Sequence, residues 1–280
     1  KQLETDFKMV VDDIQFMNAL RGRRIKLTLK TASYFGVVQR VNASKTLVLS
    51  DDLDEEYINF AVIDEFHEKF GPAVMHIKKQ SVIGVGADGV DIFQHGRLCW
   101  LQIATKNKVY LFDILLLGPR AFKNGLSMIM ENKDILKVIH DCRAIAGCLI
   151  AQYGVKLTNV FDTQVADVMC FYSETGGFLP DRVSTLQEVV HHHLKVPSSQ
   201  LLSLQMKSQL IEVQHTQMWY KRPCSVTLLK VMAVSVIHLQ PLRLVLLDTF
   251  MTDYMAAVDS YLNSSYYEPG ELGLVSMVRN

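Results

Sequence analysis

Residues 137–169, "KVIHDCRAIAGCLIAQYGVKLTNVFDTQVADVM", decide the fold class of this chain. Their short apolar start predicts a strand, and helical segments are predicted around 142–152 and 162–173. Strand-like runs precede this stretch at 81–86, 98–104 and 108–116. Further helical segments are predicted around 120–130, 185–195, 201–211 and 224–262. Three consecutive strands, then alternating helix and strand, then a helical C-terminal half predict an α/β domain.

The composition is that of an ordered globular protein and assigns no partner by itself. The chain has 280 residues, of which 49% are hydrophobic and 21% charged, enough for one large or two modest domains. Lys+Arg and Asp+Glu both number 29, so any basic surface must be local. Five cysteines form no CxxC pair, which favours free thiols. The most apolar stretch, 226–250, is interrupted by polar residues and predicts core helices rather than a membrane span.

The first part of the chain has a different hydrophobic pattern. Short alternating segments over 24–63 predict a small antiparallel sheet or barrel, and 11–20 has a helical rhythm. This order of elements resembles the Sm-like (Lsm) family over roughly residues 12–67, although that family's Arg-Gly signature is absent from "EYINFAVIDEF" (56–66). The predicted organisation is an Sm-like domain at 1–70, a connector with a Gly-Pro break at 71–80, and a second domain at 81–280.

Four motifs of the second part carry a more specific resemblance. They are "KVIHDCRAIAGCL" (137–149), "NVFDTQVADVM" (159–169), "TGGFLP" (175–180) and "KRPCSVTLLKVMAVSVIHLQPL" (221–242). In order and spacing they are similar to the 3′–5′ exonuclease domain of the ribonuclease D/DEDD superfamily, over about 81–262. The resemblance implies a ribonuclease H-like mixed sheet with helices, preceded by the small Sm-like β-barrel.

In that superfamily, four carboxylates hold two divalent metal ions about 3.5–4 Å apart. Mg²⁺ requires hard oxygen ligands, so Asp and Glu are not freely replaced. The resemblance places the four positions on Gly86, Asp88, Ile145 and Ser235, of which only one is an acid. We therefore expect a pseudo-exonuclease with no catalytic residues, no metal site and no cofactor. The three histidines at 191–193 point about 100° apart on a helix and predict no metal site either.

Clusters of basic residues are the candidates for RNA binding. Arg and Lys at such places hold phosphates without reading sequence. The candidates are Arg21, Arg23, Arg24, Lys26, Lys78, Lys79, Lys221 and Arg222. Ordinary solvated surface charge is the alternative interpretation of each cluster. An exonuclease-like groove favours single-stranded RNA with low sequence specificity.

The two domains together resemble a family of animal proteins of piRNA biogenesis. That resemblance implies a catalytically inactive RNA-binding adaptor, present as a homodimer in cytoplasmic germ granules (nuage), with a Tudor-domain protein and a PIWI protein as partners. Two alternatives remain open at this stage. One is an active metal-dependent 3′–5′ exoribonuclease with a rearranged site, and the other is a protein scaffold without RNA affinity. Neither a membrane nor a cofactor is expected.

Overall fold

The computed structural model describes residues 24–28, 33–41, 47–50, 58–91, 96–197, 201–205, 207 and 216–267. The strands are β1 (Arg24–Thr28), β2 (Ser33–Val41), β3 (Leu47–Ser50), β4 (Phe60–Ile63), β5 (Val82–Val90), β6 (Arg97–Ala104), β7 (Val109–Asp113), β8 (Leu136–Ile139) and β9 (Val160–Asp162). The helices are α1 (Gly71–Lys78), α2 (Ile114–Leu117), α3 (Ser127–Met130), α4 (Cys142–Tyr153), α5 (Thr163–Glu174), α6 (Leu186–Leu194), α7 (Thr216–Tyr220), α8 (Val226–Ile237), α9 (Leu239–Phe250) and α10 (Thr252–Tyr267). Two π-helical turns, Phe66–Phe70 and Phe122–Leu126, precede α1 and α3.

Strands β1, β2 and β3 form an antiparallel sheet in that order. The pairing of β2 with β3 is interrupted by a bulge between Val38 and Arg40. Three of the strands predicted from the alternating pattern are therefore present. The helix predicted at 11–20 lies outside the described residues, so the Sm-like assignment of this part stays a prediction.

The large sheet has six strands in the order β4-β7-β6-β5-β8-β9. β6 runs antiparallel to both of its neighbours, whereas β4 pairs in parallel with β7 and β8 pairs in parallel with β5 and β9. The predicted mixed α/β fold is thus confirmed. Because β5 and β8 are parallel neighbours, their carboxyl ends lie at the same edge of the sheet, where open α/β sheets usually place a ligand site.

Helices cover both faces of this sheet. β6 is buried from Leu98 to Ala104, which explains why it is continuously apolar rather than alternating. On one face, the core is formed with α1, α3 and α4, through residues such as Ile77 and Ile129. On the other face, α8 packs against the sheet through residues such as Met232. A third cluster joins α5, α6 and α9 and extends this second layer.

The boundary of the larger domain differs from the prediction. Strand β4, expected in the Sm-like domain, pairs with β7, and Ile63 is buried in the large core. An alternating pattern identifies a strand but not its partner, which explains the difference. The expected connector at 71–80 is mostly helix α1, with Ile77 fully buried. The Gly-Pro pair does not break the chain there, since Pro72 lies in the first helical turn, where its missing N–H costs no hydrogen bond.

The apolar C-terminal stretch forms two helices, α8 and α9, that meet at His238. Among the described residues, Val226–Phe250 is long and apolar enough to cross a membrane, but 56% of its most apolar 18 residues are buried within the fold. Packing of α8 on β5, β6 and β7 therefore accounts for its apolar composition, as predicted for core helices.

Two glycines of β5 allow α8 to approach the sheet closely. A Cβ atom at Gly84 would lie 2.8 Å from the backbone oxygen of Val236. A Cβ atom at Gly86 would lie 2.8 Å from Cγ1 of Val236 and 2.7 Å from Oε1 of Gln102. Such distances are shorter than carbon contacts in folded proteins allow, so helix α8 can occupy its position only because both residues lack a side chain.

A buried ion pair ties the segment before α8 to the sheet. The Arg222 guanidinium donates through Nε and Nη2 to the two carboxylate oxygens of Asp113, the second at 2.8 Å. It also lies over the Trp100 ring, 4.6 Å from the centroid. Asp113 is 1% exposed on the side chain and Arg222 is 18% exposed. A bidentate, stacked geometry of this kind suits arginine and not lysine.

Substitution Gly86→Ala should destabilise the protein by about 1–3 kcal/mol, because the new methyl group overlaps Val236 and Gln102. Chemical denaturation measured by circular dichroism gives the change in the free energy of unfolding. The matched control is Gly147→Ala inside helix α4, where no atom lies within 4 Å of the new Cβ. That change should be neutral or stabilising by up to about 1 kcal/mol. Equal effects of the two variants would contradict the close approach of α8.

Substitution Asp113→Asn should cost about 3 kcal/mol of unfolding free energy, because it leaves the Arg222 charge without its partner in a largely buried place. The amide can still accept the hydrogen bond from Leu116 N that begins α2. The control is Lys69→Ala, which removes the exposed pair with Asp64 and should leave the thermal midpoint unchanged. Similar midpoints for both variants would contradict a structural role for the Asp113–Arg222 pair.

Candidate functional site

An open cleft of about 310 Å³ lies at the carboxyl ends of β5 and β8. Its walls come from β5, the residues after β8, the first turn of α4, the starts of α5 and α6, residues 204 and 207, and helices α8 and α9. The four positions singled out in the sequence all line it: Gly86, Asp88, Ile145 and Ser235. The fold therefore brings together three motifs that are far apart in the chain.

Asp88 is the one carboxylate among these four positions, and it is 3% exposed. It lies on β5 opposite Trp100 of β6. Its Oδ2 atom is 2.9 Å from Nζ of Lys207 and accepts a hydrogen bond of 3.1 Å from Nε2 of Gln102. A buried carboxylate needs such partners, because burial without them would be strongly unfavourable.

The position of the first acid is closed by packing. Gly86 pairs with Gln102 across the β5–β6 ladder. The Gln102 side chain, which is fully buried, and Val236 of α8 fill the space where a side chain at residue 86 would begin. An acid at residue 86 would therefore require a repacking of these neighbours.

The third and fourth positions carry no carboxylate. Ile145 is 3% exposed and belongs to the apolar core. Ser235 is 4% exposed, and its hydroxyl donates to the carbonyl oxygen of Met232 at 2.8 Å. The same Oγ accepts a hydrogen bond of 3.2 Å from Nζ of Lys207. The lysine ammonium thus bridges Asp88 and Ser235 across the bottom of the cleft.

Two further acids near the cleft are used in other interactions. The Asp141 carboxylate accepts two bonds of 2.7 Å from the Arg143 guanidinium, which holds the pKa of that carboxyl below its usual range. Asp162 caps α5 by accepting from Gln164 N, and it accepts from Cys142 N at the start of α4. Asp162 therefore supports the fold at the starts of two helices. Asp91 is exposed at the end of β5 and does not line the cleft.

His140 is a largely buried polar residue of the cleft wall. Its Nδ1 lies 3.0 Å from Oγ1 of Thr163, and that hydroxyl donates to the Ile139 carbonyl. Burial lowers the pKa of the imidazole below its ordinary value, so the ring is neutral at pH 7.

The residues present do not fit a pair of divalent metal ions. Two Mg²⁺ ions need several carboxylate oxygens, but the four positions supply one carboxylate, already neutralised by an ammonium group. Within the described residues, no group of three or more His, Cys, Asp or Glu side chains is arranged to hold a metal. The histidines at 191–193 diverge: His193 Nε2 lies 2.7 Å from Asp167 Oδ1, and His191 Nδ1 lies 2.7 Å from Val196 O.

Among the described residues that line the cleft, Lys78, Lys79, Lys221 and Arg222 do not occur. Lys79 and Lys221 are exposed, and Lys78 Nζ lies 3.4 Å from Sδ of Met128. Arg222 is held by Asp113, so its guanidinium is not available for phosphate. The remaining candidates belong to the N-terminal part. Arg24 and Lys26 are on β1 with side chains outside the described part, and Arg21 and Arg23 lie wholly outside it.

Lys207 is a residue of the cleft lining that the sequence reasoning missed. It occurs in "LLSLQMKSQ" (201–209), where Leu201 and Leu204 form a buried stripe at a spacing of three residues. Lys207 continues that stripe, which places a charged residue where a helix buries its side chains. The sequence signal for Lys207 was therefore a lysine on an apolar helical face, with no acid nearby in the sequence to pair with it.

Comparison with known proteins places the chain in a family. A family model described as 3′–5′ exonuclease matches residues 73–225. The piRNA biogenesis protein EXD1 of Danio rerio is 42% identical over 92% of this chain and 82% of its own length. The protein of the same name from Mus musculus is 55% identical over 75% of this chain. The chain spans 37% of the length of that mouse relative.

A solved structure shares the fold. The RNase D of Trypanosoma brucei in complex with RNA U12 superposes with a TM-score of 0.57 at 23% identity, over 70% of this chain and 66% of that one. A likeness at this identity concerns the architecture of the domain alone. The extent of the EXD1 match and the family model together show that the chain belongs to the EXD1 family and contains its 3′–5′ exonuclease domain.

Proposed function

We propose that this protein is an RNA-binding adaptor of piRNA biogenesis, with an exonuclease fold that does not cleave RNA. The relatives from Danio rerio and Mus musculus are both named piRNA biogenesis proteins, which supports the pathway. The observation that carries the rest is the pairing of Asp88 with Lys207 in a cleft whose other three metal-ligand positions are Gly86, Ile145 and Ser235. Without a metal pair, neither an activated water nor a stabilised leaving oxygen is available.

RNA is the ligand class that the fold favours. The structural neighbour from Trypanosoma brucei is described as a complex with RNA U12, and the cleft is kept open here. Affinity for a nucleic acid backbone comes mainly from Lys and Arg contacts with phosphates. Lys79 and Lys221 are exposed and meet that requirement, together with Lys78 and the N-terminal candidates Arg21, Arg23, Arg24 and Lys26. Arg222 is left out, because its guanidinium is bound to Asp113.

The remaining parts of the proposal concern the assembly. By the family resemblance, the partners are a Tudor-domain protein and a PIWI protein in cytoplasmic germ granules, and the protein is a homodimer. Helix α10 supports self-association, because it exposes Tyr254, Met255, Tyr261 and Leu262. Their spacing of seven residues places them on one side of the helix, which is the pattern of a helix that packs against another helix.

A nuclease assay tests the absence of catalysis. Single-stranded RNA labelled at its 5′ end should stay at full length with the purified protein and Mg²⁺ or Mn²⁺, because one neutralised carboxylate cannot hold two metal ions. Gel electrophoresis with single-nucleotide resolution is the measurement, and an active metal-dependent 3′–5′ exonuclease serves as the positive control. Shortening that EDTA and Asp88→Ala both abolish would contradict the proposal and establish the exoribonuclease alternative.

Fluorescence anisotropy with the same RNA tests the adaptor. Binding should weaken linearly with salt on a double logarithmic scale, and the variant Lys79→Glu/Lys221→Glu should bind about tenfold less tightly at low salt. Each lost phosphate contact reduces the slope by about 0.7, so the two together reduce it by about 1.4. The control is Lys106→Glu/Lys133→Glu, with the same charge change at two other exposed lysines. No binding at low salt, or equal losses in both variants, would contradict the proposal.

A further inference from the structure

The ammonium group of Lys207 has the environment of a bound cation. Its Nζ atom lies 2.9 Å from Oδ2 of Asp88 and 3.2 Å from Oγ of Ser235. Those two residues occupy the second and fourth metal-ligand positions of the family pattern, on strand β5 and helix α8. The cation therefore lies between the two elements that would hold a metal ion from opposite sides.

The surroundings contain a further oxygen atom. Gln102 donates through Nε2 to Asp88, and its own Oε1 is buried without a hydrogen-bond partner in the structure as described. The two oxygens that contact the Lys207 ammonium thus come from a carboxylate and a hydroxyl, and the amide oxygen of Gln102 lies beside Gly86. Hard oxygen atoms of these kinds are the ligands that Mg²⁺ and Mn²⁺ select.

The charge of the cleft depends on this lysine. Asp88 is 3% exposed, and its single negative charge would repel a phosphate and be costly to bury alone. The lysine side chain is 17% exposed and reaches the carboxylate from residue 207, a part of the chain separate from both β5 and α8. The pair has no net charge, so the cleft floor is neutral without any metal.

We propose that Lys207 is the resident cation of this cleft and takes the place of the divalent metal ions. It neutralises Asp88, ties residue 207 to β5 and α8, and excludes Mg²⁺ and Mn²⁺ from the site. This inference goes beyond the proposed function, because it concerns the charge balance of the cleft and holds whether or not RNA binds there.

A thermodynamic cycle on the full chain tests the pairing. Asp88→Asn and Lys207→Met should each lower the thermal midpoint by about 5 °C or more, because each leaves a buried partner without its counterpart. The double variant should lose clearly less than the sum of the two losses, since it removes both charges together. The control Lys133→Met changes an exposed lysine and should leave the midpoint unchanged. Additive losses in the cycle would overturn the proposal.

A metal titration distinguishes a resident cation from an ordinary ion pair. The midpoint of the unaltered protein should be the same in EDTA and in millimolar Mn²⁺. Lys207→Ala removes the ammonium group and leaves Asp88 without its cation. Mn²⁺ should therefore raise the thermal midpoint of this variant, and the rise should be absent in Asp88→Asn/Lys207→Ala. Two outcomes would overturn the claim that Lys207 takes the place of a metal. One is a Mn²⁺-induced rise of the thermal midpoint in the unaltered protein that Asp88→Asn removes. The other is no Mn²⁺-induced rise in Lys207→Ala. Neither result depends on RNA binding.

Discussion

The close approach of helix α8 to strand β5 is the constraint on which the cleft depends. It exists because Gly84 and Gly86 have no side chains at the points where Val236 touches the sheet. Ser235 of α8 and Asp88 of β5 both line the cleft, and Gln102 donates to Asp88. The polar floor of the cleft is a consequence of backbone packing, and the paired charges of Asp88 and Lys207 then complete it.

The acids that remain near the cleft show why its outline persists. Asp162 holds the starts of α4 and α5 together through hydrogen bonds from the backbone N–H groups of Cys142 and Gln164. Asp141 caps α4 by accepting from the backbone of Arg143 and pairs with its guanidinium. Both carboxylates accept from backbone N–H groups at the starts of helices, which have no partner within their own helix. Asp141 and Asp162 therefore belong to the framework of the cleft wall.

The sequence predicted the features whose causes are local. The bounds of α5 and α6 were predicted within two residues, because Asp162 caps the first and the Thr185–Glu188 capping box begins the second. The four positions that line the cleft were supplied by the resemblance to the ribonuclease D/DEDD superfamily. Strand β4 was assigned to the wrong sheet, because the strand with which it pairs is determined by the tertiary fold and not by its own sequence. The local sequence marks Lys207 only as a charge on an apolar helical face, and its pairing with Asp88, 119 positions earlier, is revealed by the fold.

The packing around Gly86 also limits which residues the cleft can accept. Gln102 and Val236 occupy the space that a side chain at residue 86 would need. An acid introduced at residue 86 would meet those neighbours, and one at residue 145 would place a charge in the core. Each substitution would therefore lower the stability of the fold by itself. Adding carboxylates to this cleft requires a simultaneous change of the residues packed around it.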